Sequence, residues 1–205
     1  MDKKETFEAF CEELYACTKC GLCQTRTNVV HGDFRSDCRV FLLGEAPGGS
    51  EDQTGRPFTG QAGDILTEFL HLADLQREDV YISNVVKCRP TKPSNYGRYG
   101  NYANRKPTSE EVATCSPWFA KELSIIAPTV LVTLGAVPLS HIVGRAVPIG
   151  KAHGMLFQSK NFNLPVFPLY HPAAVIYDQS KKVDYEKDVK RLGNWLKSYL
   201  KEVEK

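Results

Sequence analysis

Four cysteines in two distant groups constrain this chain more than any other feature. Cys17 and Cys20 form a Cys-x-x-Cys pair near the start, and Cys88 and Cys115 stand far downstream. A Cys-x-x-Cys pair supplies two corners of a tetrahedral site, and two distant thiolates can tie that end of the chain to the rest of the fold. A metal clip is most effective when it closes loops as long as these. Soft thiolates select zinc, copper(I) or an iron–sulfur cluster. A zinc ribbon pairs two Cys-x-x-Cys knuckles; the second is missing here, so the dispersed spacing favours a four-cysteine [4Fe–4S] site over zinc. Cys23 rivals Cys20, because Cys17-x-x-Cys20-x-x-Cys23 is also well spaced. Cys11 and Cys38 sit beside apolar residues and read as small buried hydrophobes.

The 205 residues suffice for one sizeable core rather than two. The expectation is therefore one domain over 1–205, with an N-terminal helix and a cysteine arm. A net charge of +2 is too small to argue for nucleic-acid binding by itself. Its distribution says more: Lys87, Arg89, Lys92, Arg98, Arg105 and Lys106 are crowded into one stretch without an acid. No apolar run approaches a membrane span, and Met1-Asp2-Lys3-Lys4 lacks the apolar core of a signal peptide. These features predict a cytoplasmic protein, where cysteines serve as metal ligands or free thiols rather than disulfides.

Hydrophobic periodicity predicts helices over 4–16, 62–73, about 107–126 and 184–203, and a short one ending near Ile142. Apolar runs predict strands at 39–43, 80–86, 129–134 and 164–169, the last with prolines that point to an edge position or a strand end. This alternation predicts an α/β fold, a three-layer α/β/α sandwich around a short central four-stranded parallel sheet. Ligands bind such sheets beyond the carboxyl ends of the strands. Those ends carry Gly44-Glu45, Asn84, Leu134-Gly135 and Tyr170-His171.

The segment Gly44-Glu45-Ala46-Pro47-Gly48-Gly49-Ser50-Glu51-Asp52 follows the first strand directly. It is not a phosphate loop, since it lacks the Gly-Lys-Ser/Thr ending and its acids would repel phosphate. Phe58, between Pro57 and Thr59-Gly60, is either a core residue under the loop or a platform on which a flat ligand stacks. Glu45 is either a catalytic carboxylate or a loop cap. His171 follows a strand end at the predicted ligand edge, whereas His31, His71, His141 and His153 have no such context.

Taken together, these motifs resemble the family 4 uracil-DNA glycosylases, the iron–sulfur type of their superfamily. The resemblance is carried by Gly44-Glu45-Ala46-Pro47-Gly48, Glu51-Asp52, Gly55, Pro57-Phe58, Gly60 and Ala62-Gly63. It is also carried by Cys17-Thr18-Lys19-Cys20-Gly21-Leu22, Asn84, Lys87-Cys88-Arg89-Pro90, Asn104-Arg105, Cys115, Leu134-Gly135 and His171-Pro172. The resemblance implies an enzyme that flips uracil out of DNA, hydrolyses its N-glycosidic bond and so starts base-excision repair. By the same resemblance Cys17, Cys20, Cys88 and Cys115 would hold a structural [4Fe–4S] cluster. Phe58 would stack on the flipped base and Asn84 would read its amide edge. Glu45 and Ala46 would line the base and water side, and Glu51 would sit near C5, where a thymine methyl must be excluded. His171 would stabilise charge at O2, so that Glu45 and His171 are the catalytic pair. The expected partner is uracil-containing DNA, single- or double-stranded. A monomer is expected, and a sliding clamp is a further candidate partner.

Two regions depart from the family pattern. The interval between Cys88 and Cys115 is longer than usual, and Ser94-Asn95-Tyr96-Gly97-Arg98-Tyr99-Gly100-Asn101-Tyr102 within it reads equally as a DNA-contacting flap or a solvated loop. After His171, one of Val175, Ile176 and Tyr177 would wedge into the duplex. The competing readings are a broader deaminated-base range on the same fold, or an iron–sulfur DNA-binding or damage-sensing module without hydrolysis.

Overall fold

An apolar residue at nearly every position of Val40–Gly44, Val80–Asn84 and Val130–Leu134 leaves no face for water, so each segment must be covered on both sides. The computed structural model describes residues 2–95, 98–159 and 161–203, and in it these three strands (β1, β2 and β5) are wholly buried. With β7 (Leu164–Leu169) they form a parallel set in the order β2-β1-β5-β7. The remaining strands are β3 (Thr91–Pro93), β4 (Tyr102–Asn104) and β6 (Phe157–Ser159). The helices are α1 (Lys3–Tyr15), α2 (Gly49–Thr54), α3 (Gln61–Leu72), α4 (Ser109–Ile126), α5 (Ala136–Val143), α6 (Ala173–Tyr177) and α7 (Lys181–Val203).

Side-chain alternation sorts the sheet into two cores. Phe41, Leu43, Tyr81 and Leu131 face one layer, where Phe7, Phe10 and Leu14 of α1 meet Trp118, Phe119 and Leu123 of α4. Val40, Leu42, Ile82, Val130 and Val132 face the other, where Leu66, Phe69 and Leu70 of α3 meet Tyr185, Val189 and Leu192 of α7. Two capping boxes fix where the first layer's helices start: Asp2 with Glu5 for α1, and Thr108 with Glu111 for α4.

The expected sheet of four parallel strands is corrected to five strands. β6 adds antiparallel to β7 at the edge. Three residues are too few to show a periodic pattern, and pairing with β7 supplies what propensity does not. The prolines of β7 therefore do not mark an edge strand. Pro165 precedes the first residue in register with β5, and Pro168 lies past the last residue in register with β6. Neither proline occupies a position where the neighbouring strand needs its missing N–H. The strand order reverses between β1 and β5, which opens a crevice at the carboxyl ends of the parallel strands. Among the described residues, no helix is long and apolar enough to cross a membrane.

Candidate active site and cysteine recess

β1 and β2 run side by side in register, so Gly44 lies opposite Asn84 where both strands end. A Cβ at Gly44 would stand 2.3 Å from Asn84 Oδ1 and 2.9 Å from the Phe58 ring. Only glycine lets the amide and the ring close over the backbone here. Asn84 is 2% exposed, yet its side-chain amide has no hydrogen-bond partner among the described residues. The amide is not one of the fully enclosed unpaired groups, which among the described residues are Thr133 Oγ1 and Tyr185 OH, so its atoms stay open to a ligand.

Phe58 is also buried, and its ring stacks on His171 at 5.6 Å between centroids and 28° between planes. Its φ of 53° lies in the left-handed region, a strained conformation for a residue with a Cβ. Arg77, just before β2, holds it there: Nη2 donates to Pro57 O at 2.6 Å and to Phe58 O at 3.0 Å.

His171 accepts the Ala173 N–H on Nδ1 at 3.1 Å. Burial pushes its pKa down to about 4, against an opposing pull from Glu51. The ring is therefore neutral at pH 7, and with Nδ1 acting as acceptor the proton is assigned to Nε2. Among the described residues Nε2 has no partner.

Glu45 follows Gly44, half-buried, and its carboxylate makes no hydrogen bond or ion pair among the described residues. Burial raises its pKa above the ordinary carboxylate range, and the charge of Lys106 opposes that rise. The capping role open to Glu45 in the sequence belongs instead to Glu51. Its Oε2 accepts from Gly48 N–H at 3.0 Å, and its Oε1 from Thr59 N–H at 3.1 Å and Gly60 N–H at 3.2 Å. Glu51 thus closes the loop on itself, and it reaches the pocket through its charge on His171 rather than through a free oxygen. Ala46 is half-buried and packs toward the cysteine-bearing core.

The other predicted group converges as well. Cys17, Cys20, Cys88 and Cys115 line one recess with Leu14, Leu22, Val86 and Trp118. Three N–H groups point at their sulfurs. Trp118 Nε1 donates to Cys17 at 3.2 Å, Arg26 Nη1 to Cys88 at 3.3 Å and the Lys87 backbone to Cys115 at 3.3 Å. Cys23 borders the same recess. Burial pushes the Cys115 thiol up to about 11 and the Cys88 thiol upward. Among the described residues, no three thiol, imidazole or carboxylate groups close on a single-ion site.

Several functional residues escaped the sequence reading. Asp52, 2% exposed, accepts from Thr27 N–H at 2.9 Å and anchors α2 to the cysteine arm. Arg77 drew no reading from the sequence. Glu122 carried a detectable signal, since it is a charge on the apolar face of α4, seven residues after Cys115. The insertion forms an arm, with β3 pairing antiparallel to β4. Tyr96 and Gly97 of the expected flap lie outside the described residues. Tyr99 packs on α2, where a Cβ at Gly49 would lie 2.1 Å from its ring. Of the three wedge candidates, Val175 is buried and Tyr177 is 88% exposed.

Residues 31–197 match the family described as the Uracil DNA glycosylase superfamily. A type-4 uracil-DNA glycosylase of Thermotoga maritima is 41% identical over 182 residues, 88% of each chain. A type-4 uracil-DNA glycosylase of Archaeoglobus fulgidus is 37% identical over 195 residues, 92% of each chain. A type-5 uracil-DNA glycosylase of Pyrobaculum aerophilum is 32% identical over 67% of this chain and 62% of its own length. A family match that spans every strand of the sheet, joined to identities of this size along nearly the full length, makes this chain a member of the uracil DNA glycosylase superfamily, in its type-4 branch.

Proposed function

We propose that this chain excises uracil from DNA, hydrolysing its N-glycosidic bond to leave an abasic site for base-excision repair. One observation carries the reading. Three polar groups around a single crevice lack protein partners among the described residues: the Asn84 amide, the Glu45 carboxylate and His171 Nε2. They match the needs of the reaction one by one. A side-chain amide offers a donor and an acceptor to the uracil edge of a flipped nucleotide. Breaking the C–N bond sends its electron pair to uracil N1 and leaves positive charge on the sugar. A neutral imidazole donating Nε2–H toward O2 stabilises the anion, and such a donor is worth most where water is excluded. Water adds to the sugar carbon and its proton passes to Glu45. Phe58 and Ala46 shape the base pocket, and Glu51 fixes the loop that carries them.

The cysteine recess fits a [4Fe–4S] cluster held by Cys17, Cys20, Cys88 and Cys115. Buried thiols give up their protons readily only to a cationic centre, and the three N–H donors suit thiolate sulfurs. Cluster ligands bind separate irons, so they need not close on one point as zinc ligands do. When bound, the cluster would supply a structural clip, since hydrolysis involves no electron transfer. On the DNA side, the β3–β4 arm offers Arg98, Tyr99 and Tyr102 to the backbone and unpaired bases, and exposed Tyr177 is the wedge.

The test is a single-turnover assay on labelled oligonucleotides carrying U opposite G, U opposite A, T opposite G or an unpaired U, with abasic sites cleaved by alkali. Cleavage at U and not at T is expected. Intact, iron-loaded protein that leaves every U in place would overturn the reading.

A further inference from the structure

Lys87 is the most buried cation described, at 0% exposure, and the proposed chemistry does not use it. Its ammonium has three donors, and each has an acceptor. One goes to Ser83 Oγ at 2.7 Å, one to the backbone carbonyl of Asn84 at 2.7 Å and one to Glu122 Oε2. Glu122 is equally buried, and its other oxygen accepts from Tyr81 OH at 2.7 Å and Ser83 Oγ at 3.0 Å. A buried ion pair of this kind rarely justifies itself by stability, because two apolar residues of the same volume often serve as well or better. Its retention calls for a positional reason.

The topology supplies one. β2 ends at Asn84, and the chain from there to Cys88 belongs to no regular element, so no sheet ladder fixes its course. Val85 and Val86 N–H groups are tied to Gly44 O and Glu45 O, and the Lys87 N–H reaches Cys115 Sγ. The Asn84 carbonyl is gripped by the Lys87 ammonium. Glu122 and Cys115 stand on α4 two turns apart, on one face. The strand end is therefore pinned to α4 twice, once through the Lys87 N–H and Cys115 and once through the Lys87 ammonium and Glu122.

We infer that Lys87 is a positioning residue: paired with Glu122, it holds the Asn84 backbone so that the Asn84 amide meets the uracil edge. The inference rests on the uracil-excision reading. A base-reading amide displaced by about 1 Å is enough to cost on the order of 100-fold in rate.

Lys87→Met alone would leave Glu122 as an unpaired buried charge and risks misfolding. The informative variant is Lys87→Met with Glu122→Gln, which keeps a hydrogen-bonding side chain for Tyr81 and Ser83. It should retain iron and visible absorbance yet lose roughly 10- to 100-fold in kcat/KM on uracil oligonucleotides. In an Asn84→Ala background the same pair of changes should cost less than about threefold, because the group being positioned is gone. Amide hydrogen exchange over residues 84–88 should quicken in the variant while α4 is unchanged. Equal losses in both backgrounds would overturn the inference, as would wild-type rates or unchanged exchange. A wild-type protein inert on uracil would instead overturn the functional reading, and the exchange measurement would still decide whether Lys87 holds the segment.

Discussion

Replacing Arg77 with Met should disarm Phe58, the proposed base platform, without touching it. Phe58 sits at a φ of 53°, a conformation that costs an L-residue roughly 1–2 kcal/mol. Arg77 offsets that cost with two charge-assisted hydrogen bonds, to Pro57 O and Phe58 O. Such bonds contribute about 1.5 kcal/mol each at the low end, appropriate for a half-buried guanidinium. Together they supply about 3 kcal/mol, more than the strain requires. Arg77→Met removes them and leaves the strain unopposed, so the ring-in conformation should lose about 5- to 30-fold in population. Single-turnover excision at subsaturating enzyme should fall by the same factor, while iron content stays close to wild type and the thermal midpoint drops by only a few degrees. A Phe58→Gly background provides the control, because glycine bears no strain at this φ. There Arg77→Met should cost little more. Wild-type kcat/KM in folded Arg77→Met, or an equal loss in the Phe58→Gly background, would refute the argument.

Cys88→Ser and Cys115→Ser should each abolish visible absorbance and most soluble yield, because metal binding is coupled to folding; full iron by elemental analysis in either would assign the ligand elsewhere, with Cys23 first. Gly49→Ala drives a Cβ into Tyr99 and should raise the Kd for DNA severalfold while the rate at saturating DNA holds, and adding Tyr99→Ala should cause no further loss; unchanged affinity on titration would detach the arm from DNA binding. Burial raises the Glu45 pKa, so excision should decline on the acid side at a pH above the ordinary carboxylate range; Lys106→Met removes an opposing charge and should move that limb higher, a shift read directly from the pH–rate profile. His171 has a folded pKa near 4 against about 6.5 when unfolded, so the unfolded chain binds the extra proton between those values; stability should be fully present above pH 6.5 and fall as pH drops toward 4, and His171→Gln should flatten that slope in denaturant titrations.

The sheet and the long helices were legible because burial on both faces or on one stripe leaves an unmistakable period. Val40–Gly44 and Ser109–Ile126 are such cases. The short elements were not. β6 exists only because β7 offers it an edge, and α2 is built from loop-like residues that Glu51 ties together from three N–H groups. The convergence of the candidate residues was legible, because glycine, amide and histidine stand at predicted strand ends, and the structure brings them together with Phe58. Which carboxylate braces the loop and which stays free was not legible, since Glu45 and Glu51 differ only in where the backbone points their oxygens. Arg77 and the Lys87–Glu122 pair were hidden for a related reason. The partners that define them, the Pro57 and Phe58 carbonyls for Arg77 and Glu122 for Lys87, lie 19 to 35 residues away in sequence, and no local pattern records them.

Pro165 of β7 sets the height of His171. Leu169 O accepts from Gly135 N–H, so alternate residues of β7, Pro165 among them, face β5. Were β7 to slide two residues along β5 toward the crevice, Pro165 would enter that ladder with no hydrogen to give, and a carbonyl of β5 would be left bare. The slide would lift His171 by about 6.6 Å, out of reach of Phe58 and of any base lying beside it. Proline here acts as a stop on a ruler: it tolerates one register of the strand, and that register is the one in which the imidazole stacks on Phe58.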